Sequence, residues 1–112
     1  MSAAYSDLYI EQGTTFAATI TISDAYGNSY NLNNYSASSQ MRRSYYSTNT
    51  SAVFVPYLNT NLSTITLKLD STNTSNILPG RYVYDAIIKN NNDGSIIRIL
   101  EGTVTVSPAV TR

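Results

Sequence analysis

Residues 78–108 read LPGRYVYDAIIKNNNDGSIIRILEGTVTVSP, and their period decides the fold class. Tyr82, Tyr84, Ala86 and Ile88 alternate with Val83, Asp85 and Ile87. The segment therefore repeats every two residues, as a strand does, and not every 3.6 as a helix does. Asp93-Gly94 then supplies a hairpin turn, because glycine takes the positive φ that a tight connection demands. After the turn the chain is apolar on both faces through Ile96, Ile97, Ile99 and Leu100, and beyond Glu101-Gly102 only Val104 and Val106 keep the pattern. A change of phase within one strand calls for a β-bulge, and the glycine places it at Gly102. An apolar outer face needs a cover, which makes Ile97 and Ile99 candidate contact residues.

The same period runs outward through the rest of the chain. Phe16, Ala18, Ile20 and Ile22 share one face of a strand; so do Tyr35, Ala37, Ser39 and Met41; so do Ile65, Leu67 and Leu69. Turn chemistry separates these strands, through Gly27, Asn28, Asn33 and Asn34 and through the polar stretch around Thr48. Pro56 has no N–H to give to a ladder, so "AVFVPYL" is predicted to lie at an edge or to end there. "STNTSNILPG" has room for one helical turn capped by Ser71 or Thr72, stopped by Pro79 and Gly80. Tyr82, opening a late strand just after a turn, has the position of a tyrosine corner. The prediction is an all-β chain: one domain over residues 1–112, an Ig-like antiparallel β-sandwich of about seven strands.

Composition narrows the chemistry. A chain of 112 residues buries roughly two-thirds of its unfolded surface, enough for a core without a staple. It contains no cysteine and no histidine. Disulfides, thiolate metal sites and the usual general base go with them. Seven basic and seven acidic residues cancel, and charged residues make up only 12% where soluble domains carry about a quarter. Affinity for nucleic acid comes mainly from Lys and Arg displacing counterions, so a neutral chain is a poor phosphate binder. No apolar run reaches the length of a membrane span, and the start, MSAAYSDLYIEQG, reads as no secretory leader.

Four stretches carry a resemblance. "DLYIEQGTTF", "NLNNYSASSQMRRSYYS", "LPGRYVYD" and "ILEGTVTVSPAVTR", in that order and spacing, resemble a family of small virion proteins of tailed phages, particularly those of marine and cyanobacterial hosts. More distantly the pattern is similar to the Ig-like module at the start of phage baseplate upper proteins. The resemblance implies a non-enzymatic structural protein located in the virion. It is expected foremost as a head decoration bound in many copies; the alternative is a neck, tail or baseplate adapter. Its partners would be other virion proteins of shell or tail, with a homo-oligomer possible in the assembly, and neither nucleic acid nor membrane. It implies no catalytic residue, no metal and no cofactor.

Residues 41–46, MRRSYY, hold the remaining signal. Arg42 and Arg43 beside Tyr45 and Tyr46 have the makings of a single-strand nucleic-acid platform, but the zero net charge speaks against it. Arg and Tyr are also the residue types enriched at protein hot spots. Arg42, Arg43, Tyr45, Tyr46, Ile97 and Ile99 are therefore the candidate protein interface. Ten tyrosines leave a host-surface glycan-binding module as the second class of function. The carboxylates are scattered; Asp85 faces away from the core phase and is predicted to pair with Arg98 across the hairpin, worth under about 1 kcal/mol.

Overall fold

Wherever the sequence alternates, the chain forms a strand. The computed structural model describes residues 4–23 and 31–111; the predicted turn residues Gly27 and Asn28 lie outside them. In chain order it contains β1 (Ala4–Tyr5), β2 (Leu8–Glu11), β3 (Phe16–Thr21), β4 (Tyr35–Arg42), β5 (Ala52–Asn59), β6 (Thr64–Leu69), a single helical turn α1 (Ser71–Ser75), β7 (Gly80–Asn90) and β8 (Ile96–Ser107). No helix among the described residues is long and apolar enough to cross a membrane.

The strands form one curled sheet in the order β1-β8-β7-β4-β5-β6-β3, with β2 following β1 along β8. β1 and β2 run parallel to β8, while the other pairs are antiparallel. The sheet is thus mixed, not antiparallel throughout as the sequence suggested. β5 makes the curl. Ala52 to Phe54 pair with β4, then Val55 to Asn59 pair with β6, so one strand passes from one half of the sheet to the other. Pro56 does not end β5, but it lies where β5 pairs with β6 alone among the described residues, the edge position expected of it. Ile22 N–H donates to the Ser63 carbonyl, and alternation along β6 then turns the backbone of Leu67 toward β3. Pro56, opposite Leu67, consequently points its nitrogen away from β6, into the space β4 has left.

The core faces follow the predicted phases. Ile65, Leu67 and Leu69, then Tyr82, Tyr84, Ala86 and Ile88, are buried, with Met41, Phe54, Val104 and Val106 between them. Phe54 joins the two halves of the curl, its ring 5.9 Å from Phe16 and 6.1 Å from Tyr84. Tyr82 donates from its hydroxyl to the Leu78 carbonyl, 2.5 Å away, the hydrogen bond expected of a tyrosine corner. The helical turn is capped by Asp70, whose carboxylate accepts from Asn73 N–H at 2.8 Å, and not by Ser71 or Thr72. Ionised oxygen at that position is the stronger acceptor. Buried Thr74 ties the turn to the Thr14 carbonyl at 2.7 Å.

The bulge in β8 is not at Gly102. Ala86 pairs with Leu100 and Ile87 with Arg98, which leaves Ile99 as the extra residue. Ile99 and Leu100 therefore both turn inward and are buried. Gly102 has a different reason. A Cβ there would overlap the carbonyl oxygen of Ser6, with the Ser6 carbonyl carbon at 2.8 Å and the Tyr84 ring at 3.2 Å. That carbonyl accepts from the Tyr84 hydroxyl at 2.6 Å, while Ser6 N–H donates to the Glu101 carbonyl at 2.9 Å. The absent side chain lets the kink between β1 and β2 lie directly on β8.

Two predictions follow from this junction. Gly102→Ala should cost about 3 kcal/mol, since the Ser6 backbone that a Cβ would meet cannot yield; urea denaturation checks it, and a cost under about 1 kcal/mol would mean the kink can move aside. Tyr84→Phe should lose about 1 kcal/mol near neutral pH. Burial pushes the Tyr84 hydroxyl up to about 12, so its stabilisation is whole below the unfolded value of about 10 and is lost as pH rises through the folded one. The wild-type chain should lose stability more steeply than Tyr84→Phe over that window.

Candidate functional site

Alternation gives every strand an outward set of side chains, and register brings the outward sets of β4, β5, β7 and β8 together. Val53 lies opposite Gln40, Gln40 opposite Asp85, Asp85 opposite Glu101, and Glu101 opposite Tyr5. A second row runs from Arg42 through Val83 to Thr103. Above these rows a cleft of about 340 Å³ is lined by Gln40, Arg42, Tyr45, Val83, Asp85 and Arg98. Arg98 reaches Asp85 at 3.3 Å, as predicted from the sequence, and Glu101 at 3.9 Å.

The loop from residue 43 to 51 overhangs this cleft, and Arg42 fixes its shape. The Arg42 guanidinium donates to the carbonyls of Ser47 and Thr48, both at 2.9 Å, and to Gln40 Oε1 at 3.1 Å. Ser47 N–H returns to the Ser44 carbonyl at 3.2 Å, and Ser51 N–H closes the neck on the Met41 carbonyl at 2.8 Å. A loop braced in this way loses little entropy on binding. It holds Tyr45 and Tyr46 into solvent, 71% and 94% exposed.

Arg43 points elsewhere. Its guanidinium stacks on the Tyr82 ring at 4.8 Å and donates to the Arg81 carbonyl at 3.3 Å, over Gly80, where a Cβ would come within 2.5 Å of it. The six candidate residues thus divide. Arg42 and Tyr45 line the cleft, Tyr46 projects beside them, and Arg43 braces the start of β7. Ile99 is no contact residue, because the bulge buries it; Ile97, paired with Ile88, is half-buried against the core. The exposed isoleucine of that stretch is Ile96. Sequence reading missed Val53, Gln40 and Tyr5, because the row appears only once the pairing order is known.

Beyond the cleft stands a polar cluster. Asp7 accepts from the Thr103 hydroxyl at 2.8 Å and from Thr103 N–H at 3.3 Å. These two donors, the hydroxyl first, hold the Asp7 carboxyl below its ordinary value. The Tyr5 hydroxyl is pushed up, by desolvation first and then by its hydrogen bond to Asp7, and it also feels Tyr45. At the hairpin tip Ser95 N–H, 2.8 Å from Asp93, lowers the Asp93 carboxyl in the same way. No protein-family model matches the chain, and no curated protein does either.

Acid should therefore act through these carboxylates. A lowered folded value contributes stability above the unfolded one, about 3.9, which is lost as pH falls through the folded value. Thermal unfolding should be insensitive to pH from 5 to 8 and weaken below about pH 4. Asp7→Asn should flatten part of that acid slope; an unchanged slope would remove the Asp7–Thr103 contact as its source.

Proposed function

We propose that the chain is a non-enzymatic structural module of a tailed-phage virion, an Ig-like β-sandwich that docks on a larger protein lattice, foremost as a head decoration. The observation that carries the reading is the braced loop holding Tyr45 and Tyr46 almost wholly in solvent. Exposed aromatic rings on a rigid loop are anchors for a pocket in a partner. The charges of the face behind them are held within the molecule, Asp85 and Glu101 by Arg98 and Arg42 by its own loop. The Ig-like description is supported by β2 running parallel to the last strand, by the passage of β5 between halves, and by the Tyr82 corner. Repetition by the symmetry of the lattice would supply avidity where one contact is modest. Placement at neck, tail or baseplate is the same mechanism at lower copy number.

A glycan-binding reading is favoured by one feature, the cleft itself. The Tyr45 ring stands beside the planar polar groups of Gln40, Asp85 and Arg98, a stacking surface next to hydrogen-bonding groups.

Quantitative mass spectrometry of purified particles tests the reading. Hundreds of copies per particle identify a shell decoration, a few to a few dozen a neck or tail component, and absence from particles defeats the proposal. Tyr45→Ala with Tyr46→Ala should leave stability within about 0.5 kcal/mol, as exposed positions do, yet lower incorporation at least tenfold. Unchanged incorporation would take the loop out of the contact; retention of the isolated protein by host glycans, lost in the same variant, would favour the glycan reading.

A further inference from the structure

Among the described residues β3 ends the sheet, paired on one side only, with β6. The hydrogen bond from Ile22 N–H to the Ser63 carbonyl fixes which residues face which way. Phe16, Ala18 and Ile20 direct their backbone groups to β6, so Ala17, Thr19 and Thr21 direct theirs to the open side. Their side chains are exposed as well. At the start of this edge a groove of about 370 Å³ lies between β3 and β2, lined by Phe16 and Ala17 on one side and by Tyr9 and Glu11 on the other, with Tyr9 72% exposed and Phe16 half-buried.

Soluble proteins protect such edges with lysine, proline, bulges or inward charges, because an unpaired ladder templates association. None of these devices is present in β3. Residues 12–23, QGTTFAATITIS, contain no charged residue and no proline, and the β3–β6 register runs unbroken from Phe16 to Thr21.

We propose that β3 is a self-association edge, pairing antiparallel with β3 of a second copy about a two-fold axis at Thr19. This goes beyond docking on another protein. The register is self-complementary: Thr19 meets Thr19, and Ala17 meets Thr21 in both directions, all of them residues whose backbone groups face outward. On the outer face the two Thr19 hydroxyls meet, a contact of the kind the chain already makes within itself between Thr19 and Thr66 at 2.9 Å. On the inner face Ala18 meets Ile20, and Phe16 gains cover. No like charges oppose one another, and two copies of zero net charge do not repel at a distance. A second copy satisfies every one of these conditions by symmetry. A pairing over five residues of each strand, 17 to 21, buries less than the roughly 1,200 Å² of a permanent interface, so the dimer exchanges in solution.

The chain has no cysteine, which makes the test direct. In a hydrogen-bonded antiparallel pair the Cα atoms stand about 5.5 Å apart, within disulfide range. Thr19→Cys should cross-link to a covalent dimer under mild oxidation at least tenfold faster than Ser38→Cys, whose side chain is exposed on β4, a strand paired on both sides. Sedimentation of the unaltered chain should show a concentration-dependent dimer, weakened at least tenfold in Thr19→Lys. If Thr19→Lys does not fold, the near-isosteric cysteine variant decides alone. A chain monomeric at all concentrations, a dimer indifferent to Thr19→Lys, or equal cross-linking rates at positions 19 and 38 would each overturn the proposal.

Discussion

The carbonyl of Ser6 occupies the space that a side chain at position 102 would need, and much of the fold depends on that substitution of backbone for side chain. With glycine at 102, the first strand can break into β1 and β2 and still follow β8 along its length. The break is not left unsatisfied. Ser6 bonds through its N–H to Glu101 and through its carbonyl to Tyr84, so a kink that would otherwise strand two polar groups becomes a cross-link between three strands. Tyr84 in turn packs edge-on against Phe54, which packs against Phe16. The junction and the aromatic contact between the halves of the curl are thus one connected structure.

The parts of this fold legible in the sequence are those fixed by period. Burial alternates as predicted along β3, β4, β6 and β7, because a one-residue error would turn every buried side chain to water. The Arg98–Asp85 pair was legible for the same reason, once the hairpin turn was read. What failed depended on partners. Gly102 looked like the site of the phase change, but glycine is used both for unusual backbone and for close approach, and only the position of Ser6 distinguishes them. Pro56 was legible as an edge residue but not as one inside a strand that changes partners, which only the pairing of β5 with β4 and then β6 reveals. Parallel pairing of β1 and β2 leaves no mark in either strand's composition. The helix cap went to Asp70 because cap geometry is decided by where the turn begins, not by which neighbouring hydroxyl is available.

The candidate surface shows the same division on a smaller scale. MRRSYY reads as one patch in sequence, yet consecutive residues at a strand end face opposite ways. Arg42 goes to the outer face and braces its own loop, while Arg43 goes over the Tyr82 ring and the Arg81 carbonyl. Both cations are used internally, and what they leave exposed is aromatic. Tyr45 and Tyr46 carry that presentation with little flexibility to lose, since the loop beneath them is held by backbone carbonyls. Arginine here organises the surface, and tyrosine offers it.

Charge ties the surface to the sheet edge. A small soluble domain ordinarily stays apart from its neighbours by net charge and by guarded strands. At β3 this chain has neither: its charges cancel and β3 is bare. The outward rows around the cleft mix Gln40, Thr103, Tyr5, Val53 and Val83 with Arg42, Asp85 and Glu101, the two acids paired to Arg98. Hydroxyl groups lower the cost of contact, because each can exchange a water for another hydroxyl without an ion to desolvate, as Thr19 and Thr66 do within the molecule. Ion pairs such as Arg98–Asp85 neutralise the few charges that would resist burial. A surface of this kind is what the proposed docking and self-association would require.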